Sequence, residues 1–206
     1  MRLWNGWGNE NSDLLMELNS GLRNLLQALV GPATPLGEAT LEQVMAKVPA
    51  SRAPAHPLID TDAETRVRHA RGQSLPDWLA MHSGDVDSFP DAVAVPENSQ
   101  QVRELLLYAR DNGLDVIPYG GGTSVVGHIN PEISPRPILT IDMSPMNQLI
   151  HFDRDSQLAT FGAGTAGPEL EAQLQKEGYT LGHFPQSWEL STVGGWVASR
   201  SSGQQS

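Results

Sequence analysis

Three consecutive glycines followed by two hydroxyl residues form the part of this sequence best suited to ligand chemistry. They lie in the stretch 116–127, which reads VIPYGGGTSVVG. Residues without a β-carbon let the main chain turn with positive φ and bring its N–H groups close to a ligand. Thr123 and Ser124 add hydroxyl donors at the same place. The stretch predicts a phosphate-binding or diphosphate-binding loop, although a plain glycine-rich turn between strands would look the same.

A strand, helix and strand unit is predicted immediately before this glycine loop. A short apolar strand is expected at 89–95, then a helix with Ser99 as its N-cap and Gly113 after its end, then a strand at 114–117. The connection of about twenty residues is long enough for a parallel crossover. The glycine loop then lies at the carboxyl end of a strand, where open α/β sheets bind their ligands. This position favours the phosphate interpretation.

The sequence after the loop predicts an antiparallel part. A strand is expected at 138–142, and a hairpin at 149–153 and 157–162, since polar turn residues separate its two strands. A helix is expected at 168–177, with Leu170 and Leu174 facing inward. These elements indicate an α+β fold.

The N-terminal region predicts a helical extension that precedes the main domain. Leucines at helical spacing favour a helix from Asn11 to Leu29 with Ser12 as N-cap, and Thr40 is expected to begin a second helix that ends at Val48. The prolines of 49–57 favour an extended linker. We therefore expect an extension at 1–57 and a main domain at 58–206. The tryptophan- and glycine-rich residues 4–8 are expected to dock on that domain.

The residues 60–79 predict one or two helices that carry several cations. Arg66, Arg68, His69 and Arg71 are expected to form a solvated basic face there.

Composition argues against several kinds of partner. The chain has 206 residues and a net charge of −11, which repels nucleic acid and anionic membranes. It has no cysteine, and therefore no disulfide, thiolate metal site or cysteine nucleophile. No apolar run spans a membrane and no leader peptide is evident, so we expect a cytoplasmic protein. The six histidines form no close ligand pair, and no metal site is expected.

Several segments together resemble one flavoprotein family. The likeness is to the FAD-binding PCMH-type domain of the vanillyl-alcohol oxidase superfamily, and within it to the alkyldihydroxyacetonephosphate synthase branch and its bacterial relatives. The segments that carry it are Pro118–Ser124, Gly182–Pro185, Ser191–Ala198, Trp4–Gly8, Asp142–Asn147 and Gly162–Gly167. The resemblance implies a small parallel α/β subdomain followed by a mixed or antiparallel β subdomain that is incomplete at its C-terminal end. His128 and Gln186 depart from the pattern, since many relatives have glycine at the first of these positions and the synthase branch has aspartate at the second.

The resemblance implies FAD as the cofactor and assigns its contacts position by position. The run that wraps the diphosphate is Pro118, Tyr119, Gly120, Gly121, Gly122, Thr123 and Ser124. The run along the flavin is Gln186, Ser187, Trp188, Glu189, Leu190, Ser191 and Thr192. A third run is Ser199, Arg200, Ser201 and Ser202. No catalytic residue and no metal ligand is assigned in this chain.

The resemblance also implies that the catalytic groups lie beyond Ser206. The chain is then the FAD-binding portion of a longer oxidoreductase or alkylglycerone-phosphate-synthase-like enzyme, itself inactive, whose missing region handles a small-molecule substrate. A homodimer of the longer protein is left open. The alternatives are a D-2-hydroxy acid (lactate or glycolate) dehydrogenase-type flavoenzyme and a non-catalytic binding module. A nicotinamide dehydrogenase is disfavoured because the loop reads GGGTS and not GxGxxG.

Overall fold

The computed structural model describes residues 2–10, 19–34 and 36–203. The helices in these ranges are α1 (Ser20–Val30), α2 (Leu41–Met45), α3 (Ala63–Arg68), α4 (Leu75–Ser83), α5 (Ser99–Asn112), α6 (Gly167–Lys176) and α7 (Val193–Ser199). The strands are β1 (Ile59–Asp60), β2 (Ala92–Ala94), β3 (Asp115–Tyr119), β4 (Ile138–Asp142), β5 (Leu149–Asp153) and β6 (Leu158–Phe161). Among these residues, no helix is long and apolar enough to cross a membrane.

The first sheet contains the predicted parallel crossover. Its strand order is β1-β2-β4-β3, with β2 and β3 both parallel to β4, so the later strand β4 lies between the two strands that α5 connects. Leu105 and Ala109 of α5 are buried against this sheet. The predicted N-cap was wrong by one residue, because the side chain of Asn98 accepts from Gln101 N at 3.0 Å and Ser99 is already helical.

The second part of the chain confirms the predicted hairpin and helix. Strands β5 and β6 pair antiparallel, and α6 buries Leu170 and Leu174 together with Trp196 of α7. A left-handed Gly178, with φ of +83°, follows the end of α6. The fold is therefore α+β: a mixed sheet, parallel except for the edge strand β1, is followed by an antiparallel hairpin.

The N-terminal helix differs from its prediction. Asn11, Ser12, Leu14, Leu15 and Leu18 lie outside the described residues. Asn19 has an extended backbone (φ −65°, ψ 162°) and accepts from Leu22 N at 2.9 Å. Because an N-cap residue is not itself helical, the predicted continuous helix through Asn19 was wrong and α1 begins at Ser20.

Helix α2 begins at the predicted cap and shares its core with α3 and α4. Thr40 and Gln43 form a reciprocal capping box, and Val44 is fully buried with Val67 and Met81. The domain boundary after residue 57 remains a prediction.

The predicted solvated basic face was wrong. Arg66 is only 2% exposed, and its guanidinium donates to Pro90 O at 2.6 Å and Pro49 O at 2.7 Å. The side chain of Arg71 is 8% exposed and donates to Ser88 O at 2.9 Å. These cations bind main-chain carbonyls of distant loops, so they join the loops that frame the first sheet.

Candidate functional site

The glycine loop leaves the first sheet at the carboxyl end of β3, as predicted. Tyr119, the last residue of β3, pairs with Asp142 of β4 and accepts from Met143 N at 2.9 Å. Gly120 to Ser124 then continue without regular structure. The β3–β4 pair thus fixes where the loop begins.

The glycine loop lies directly against the segment 190–192. A β-carbon on Gly120 would lie 2.3 Å from Thr192 Oγ1, and one on Gly121 would lie 1.8 Å from the Leu190 carbonyl oxygen. A side chain at Gly120 would displace the Thr192 side chain, and one at Gly121 would displace the backbone of residues 190–191. The two segments that the sequence resemblance joined are therefore in contact, and glycine is what permits the contact.

Gly122 packs against the side chain of Tyr119 at the base of the loop. Gly122 has φ of +66°, and a β-carbon there would lie 2.1 Å from the Tyr119 hydroxyl oxygen. The Tyr119 ring is buried and packs on His69, with 4.6 Å between ring centroids. Burial raises the pKa of the Tyr119 phenol. Tyr119 therefore packs against the loop as an uncharged, buried side chain.

The main-chain amides of the loop have no internal partner. Within the described part of the chain, the N–H groups of Gly121, Gly122, Thr123 and Ser124 donate no hydrogen bond, and neither does the Thr123 hydroxyl. Two loop carbonyls are bound from outside: Gly121 O accepts from Arg2 Nη1 at 2.6 Å, and Ser124 O accepts from Gln73 N at 2.6 Å. Adjacent free amides with their carbonyls turned away suit an anion.

These amides border a cleft of about 440 Å³ between the glycine loop and α7. The predicted site residues that line this loop cleft are Pro118, Gly120, Gly121, Gly122, Thr123, Ser124, Ser191, Thr192, Ser199 and Ser201. Its lining includes hydroxyl groups but no lysine or arginine among the described residues. An anion bound here would be held by amides and hydroxyls.

Helix α7 was not predicted, yet it forms one wall of the loop cleft. Thr192 is its N-cap and accepts from Gly195 N at 3.4 Å, and Trp196 is buried with Nε1 2.7 Å from Ser191 Oγ. Gly195 and Ala198 join the cleft lining from this helix. The signal was a threonine cap before Val193, Trp196 and Val197, but the pair Gly194 and Gly195 lowers helix propensity.

The other predicted positions do not line the loop cleft. Gln186 and Glu189 are exposed, and the Ser187 carbonyl accepts from Leu190 N at 3.1 Å and from Ser191 N at 2.8 Å in a turn. Trp188 packs closely on Gly167, and a β-carbon added to Gly167 would lie 2.4 Å from the Trp188 ring. Arg200 is exposed with φ of 52° and ends α7, and Ser202 is exposed too.

A buried carboxylate that was not predicted as a site residue binds the segment that precedes the turn at 186–190. Glu171 of α6 is 6% exposed. Its Oε2 accepts from Thr180 Oγ1 at 2.7 Å, and its Oε1 accepts from Leu181 N at 3.0 Å and Gly182 N at 3.3 Å. Helical spacing places Glu171 beside the inward-facing Leu170 and Leu174, but nothing in the local sequence reveals its partners. Glu171 instead ties residues 180–182 to α6.

The histidines near the site have structural surroundings. The His183 ring lies edge-on to Trp196 at 5.1 Å, and His128 is exposed at the rim of the loop cleft. In the described ranges, no three histidine or carboxylate side chains lie close enough together to hold a metal ion.

Comparison with known proteins gives consistent matches. The profile of the family described as "FAD binding domain" matches residues 90–206. Alkyldihydroxyacetonephosphate synthase of Dictyostelium discoideum is 41% identical over 145 residues, which is 70% of this chain and 24% of that protein. A crystal structure of an alkyldihydroxyacetonephosphate synthase in space group P1 superposes with a TM-score of 0.82 at 30% identity, covering 98% of this chain and 44% of its own.

A more distant relative has a different named activity. The mitochondrial D-lactate dehydrogenase [cytochrome] 1 of Saccharomyces cerevisiae is 27% identical over 164 residues, which is 79% of this chain and 25% of that protein. The chain thus spans about a quarter of the length of the curated relatives it matches.

Proposed function

This chain belongs to the family of FAD binding domains, and from that premise we propose that the loop cleft receives the diphosphate of FAD. The observation that carries the proposal is the run of free amides at Gly121, Gly122, Thr123 and Ser124. A diphosphate needs several donors converging on it, and amides with a neighbouring hydroxyl provide them without a cation. The net charge of the chain, −11, makes such a local site necessary for an anionic ligand.

The flavin end of FAD is assigned to the turn at 186–190 and to the start of α7. Ser191 and Thr192 border the loop cleft, and the turn continues from them along the surface. Bound FAD would supply the electron-accepting ring, whereas this chain binds and orients the cofactor. The remaining predicted contacts lie at the end of α7, at Ser199, Arg200, Ser201 and Ser202. Of these, Ser199 and Ser201 line the loop cleft.

For the whole protein we propose an alkylglycerone-phosphate-synthase-like reaction. Two observations favour it over D-lactate or glycolate oxidation. The identity to the Dictyostelium synthase is 41%, against 27% for the D-lactate dehydrogenase. The structural match to a synthase also covers 98% of this chain, including its N-terminal segment.

The first test is a titration of the purified chain with FAD. The expected result is saturable binding of one FAD per chain, with quenched flavin fluorescence and a perturbed visible spectrum, and no comparable binding of NADH. A folded chain that leaves the flavin spectrum unchanged at high concentration contradicts the FAD assignment.

The second test uses the protein encoded by the longest reading frame that contains this chain. Formation of alkyldihydroxyacetone phosphate without net flavin reduction is the expected result. Flavin bleaching by D-lactate or glycolate instead would establish the oxidoreductase alternative. FAD binding with neither activity would indicate a binding module.

A further inference from the structure

The first described residues form a hook that reaches the back of the glycine loop. In this N-terminal hook (residues 2–9), Leu3 N donates to Gly8 O at 3.0 Å, and Arg2 and Asn9 form an antiparallel bridge. Trp4 packs against the core shared by α2, α3 and α4. The docking predicted for this tryptophan- and glycine-rich segment is therefore confirmed.

Arg2 joins helix α3 to the glycine loop. Its carbonyl oxygen accepts from Arg68 Nη1 at 2.9 Å, and Arg68 is itself held by Glu64, with Nε 2.8 Å from Oε1. The Arg2 guanidinium donates to Gly121 O at 2.6 Å, across 119 positions of sequence. Arg2 does not line the loop cleft, so this contact to the loop is made from outside the cleft.

The contact fixes the direction of one amide. In a trans peptide the C=O and the following N–H point in opposite directions. Because Arg2 holds Gly121 O, the N–H of Gly122 is directed away from Arg2, and that N–H is one of the free donors of the loop. Glycines on both sides of a peptide give it little intrinsic preference for either orientation, so an external contact has to set it.

We propose that Arg2 is a positioning residue for the cofactor diphosphate, acting through the orientation of the Gly121–Gly122 peptide. This inference rests on the proposed FAD site. Arg2 touches no ligand atom in it, and its guanidinium hydrogen bond keeps the Gly122 amide available to the diphosphate. At the other end of the loop, Gln73 N holds the Ser124 carbonyl at 2.6 Å.

The test compares FAD affinity in R2L, R2K and the control R103L. Arg103 is exposed on α5, and no ion pair or hydrogen bond of its side chain is present among the described residues, so R103L makes the same change in charge away from the loop. Loss of a charge-assisted hydrogen bond predicts a dissociation constant about tenfold higher for R2L. R2K keeps a donor and recovers part of the loss, and R103L binds as the wild type does.

A second readout needs no cofactor. NMR spectra of the FAD-free chain provide this readout. The chemical shifts of the Gly121 carbonyl carbon and the Gly122 amide proton are expected to change in R2L and to match those of the wild type in R103L. Thermal unfolding shows whether each variant is folded, and R2Q replaces R2L if R2L is not.

Equal FAD affinity of wild type and R2L, or unchanged shifts at Gly121 and Gly122, would overturn the proposal. If the wild type itself does not bind FAD, the proposed function fails. The shifts then still decide whether Arg2 orients this peptide.

Discussion

The main chain of Gly121 lies against the carbonyl group of Leu190. A β-carbon added to Gly121 would be 1.8 Å from Leu190 O and 2.9 Å from the Cα atom of Ser191. This contact joins the glycine loop, at the end of the parallel sheet, to the segment that begins α7. The shape of the loop cleft depends on it.

We expect G121A to separate the two walls of the loop cleft. An alanine overlaps the backbone of Leu190, so the backbone has to shift, at a cost of about 2 kcal/mol of unfolding free energy. The FAD dissociation constant is expected to rise at least about tenfold, since the donors no longer converge. Urea unfolding and FAD titration measure the two effects.

The control for this variant is G37A. Gly37 is exposed, and a β-carbon there would have no heavy atom within 4 Å. G37A is expected to match the wild type in both measurements. Tight FAD binding by G121A would show that the contact with Leu190 is dispensable.

The Thr123 hydroxyl is expected to serve the ligand and not the fold. It has no hydrogen-bond partner in the described chain and borders the loop cleft, so T123V removes a donor that only a ligand uses. We expect an FAD dissociation constant about five- to tenfold higher. The unfolding free energy without FAD should stay within about 0.5 kcal/mol of the wild type.

The matched control is T140V on β4. Thr140 is fully buried, and its hydroxyl has no partner among the described residues. Valine has nearly the same shape without the unpaired hydroxyl, so T140V is expected to equal or exceed the wild type in stability and to leave FAD affinity unchanged. A T123V chain that loses stability but keeps its FAD affinity would contradict the assignment.

Asp91 is expected to make the fold sensitive to acid. Burial alone raises the pKa of this carboxyl, but hydrogen bonds from Arg52, Ile138 N and Arg52 N outweigh burial and hold the pKa below its usual 3.8. Because the pKa in the folded state is lower than in the unfolded state, Asp91 stabilises the fold above about pH 4. That contribution disappears as the pH falls through the lower, folded-state value.

D91N tests this linkage. The amide keeps only one acceptor oxygen, whereas Asp91 accepts from Arg52 N and Arg52 Nε on Oδ1 and from Arg52 Nη2 and Ile138 N on Oδ2. The NH2 group therefore faces two donors, and we expect a loss of about 2 kcal/mol at pH 7. Urea unfolding at pH 7 and at pH 3 should give a smaller difference between the two pH values for D91N than for the wild type. D85N, at an exposed carboxylate, should keep the pH dependence of the wild type.

Glu171 is expected to hold the segment that leads into the turn at 186–190. E171A leaves the amides of Leu181 and Gly182 without their acceptor, so their hydrogen exchange should accelerate and the unfolding free energy should fall by about 2 kcal/mol. E169A removes an exposed carboxylate two residues earlier on the same helix and should leave both amides protected. Equal exchange in the two variants would show that Glu171 does not anchor this segment.

Local sequence patterns were sufficient to predict the elements whose ends are marked by proline, glycine or turn residues. Strand β4 was predicted with its observed bounds, Ile138–Asp142, because an apolar run there is enclosed by Pro137 and a turn. The α6 helix was predicted within one residue at each end, since Pro168 and Gly178 mark its limits. The carboxyl-end position of the glycine loop followed from the same kind of signal.

Long-range contacts could not be predicted in this way. Arg66 looked like a surface cation because nothing in the local sequence reveals that Pro49 O and Pro90 O surround it. Helix α7 was missed because Gly194 and Gly195 disfavour a helix locally, whereas the buried Trp196 and the Thr192 cap stabilise it. The family resemblance assigned Gly121 and Leu190 to two separate FAD-contacting runs, but it did not predict their contact, and no spacing rule contains it.

The position of β4 between β2 and β3 sets an order of assembly. Strand β3 is made before β4 during synthesis, but β4 is its only partner in the described part of the sheet. The glycine loop therefore has no fixed starting point until residues 138–142 have joined the sheet, and no opposite wall until residues 190–192 arrive. Since both contacts are non-local, we expect the loop to become ordered only after these two segments have packed against it.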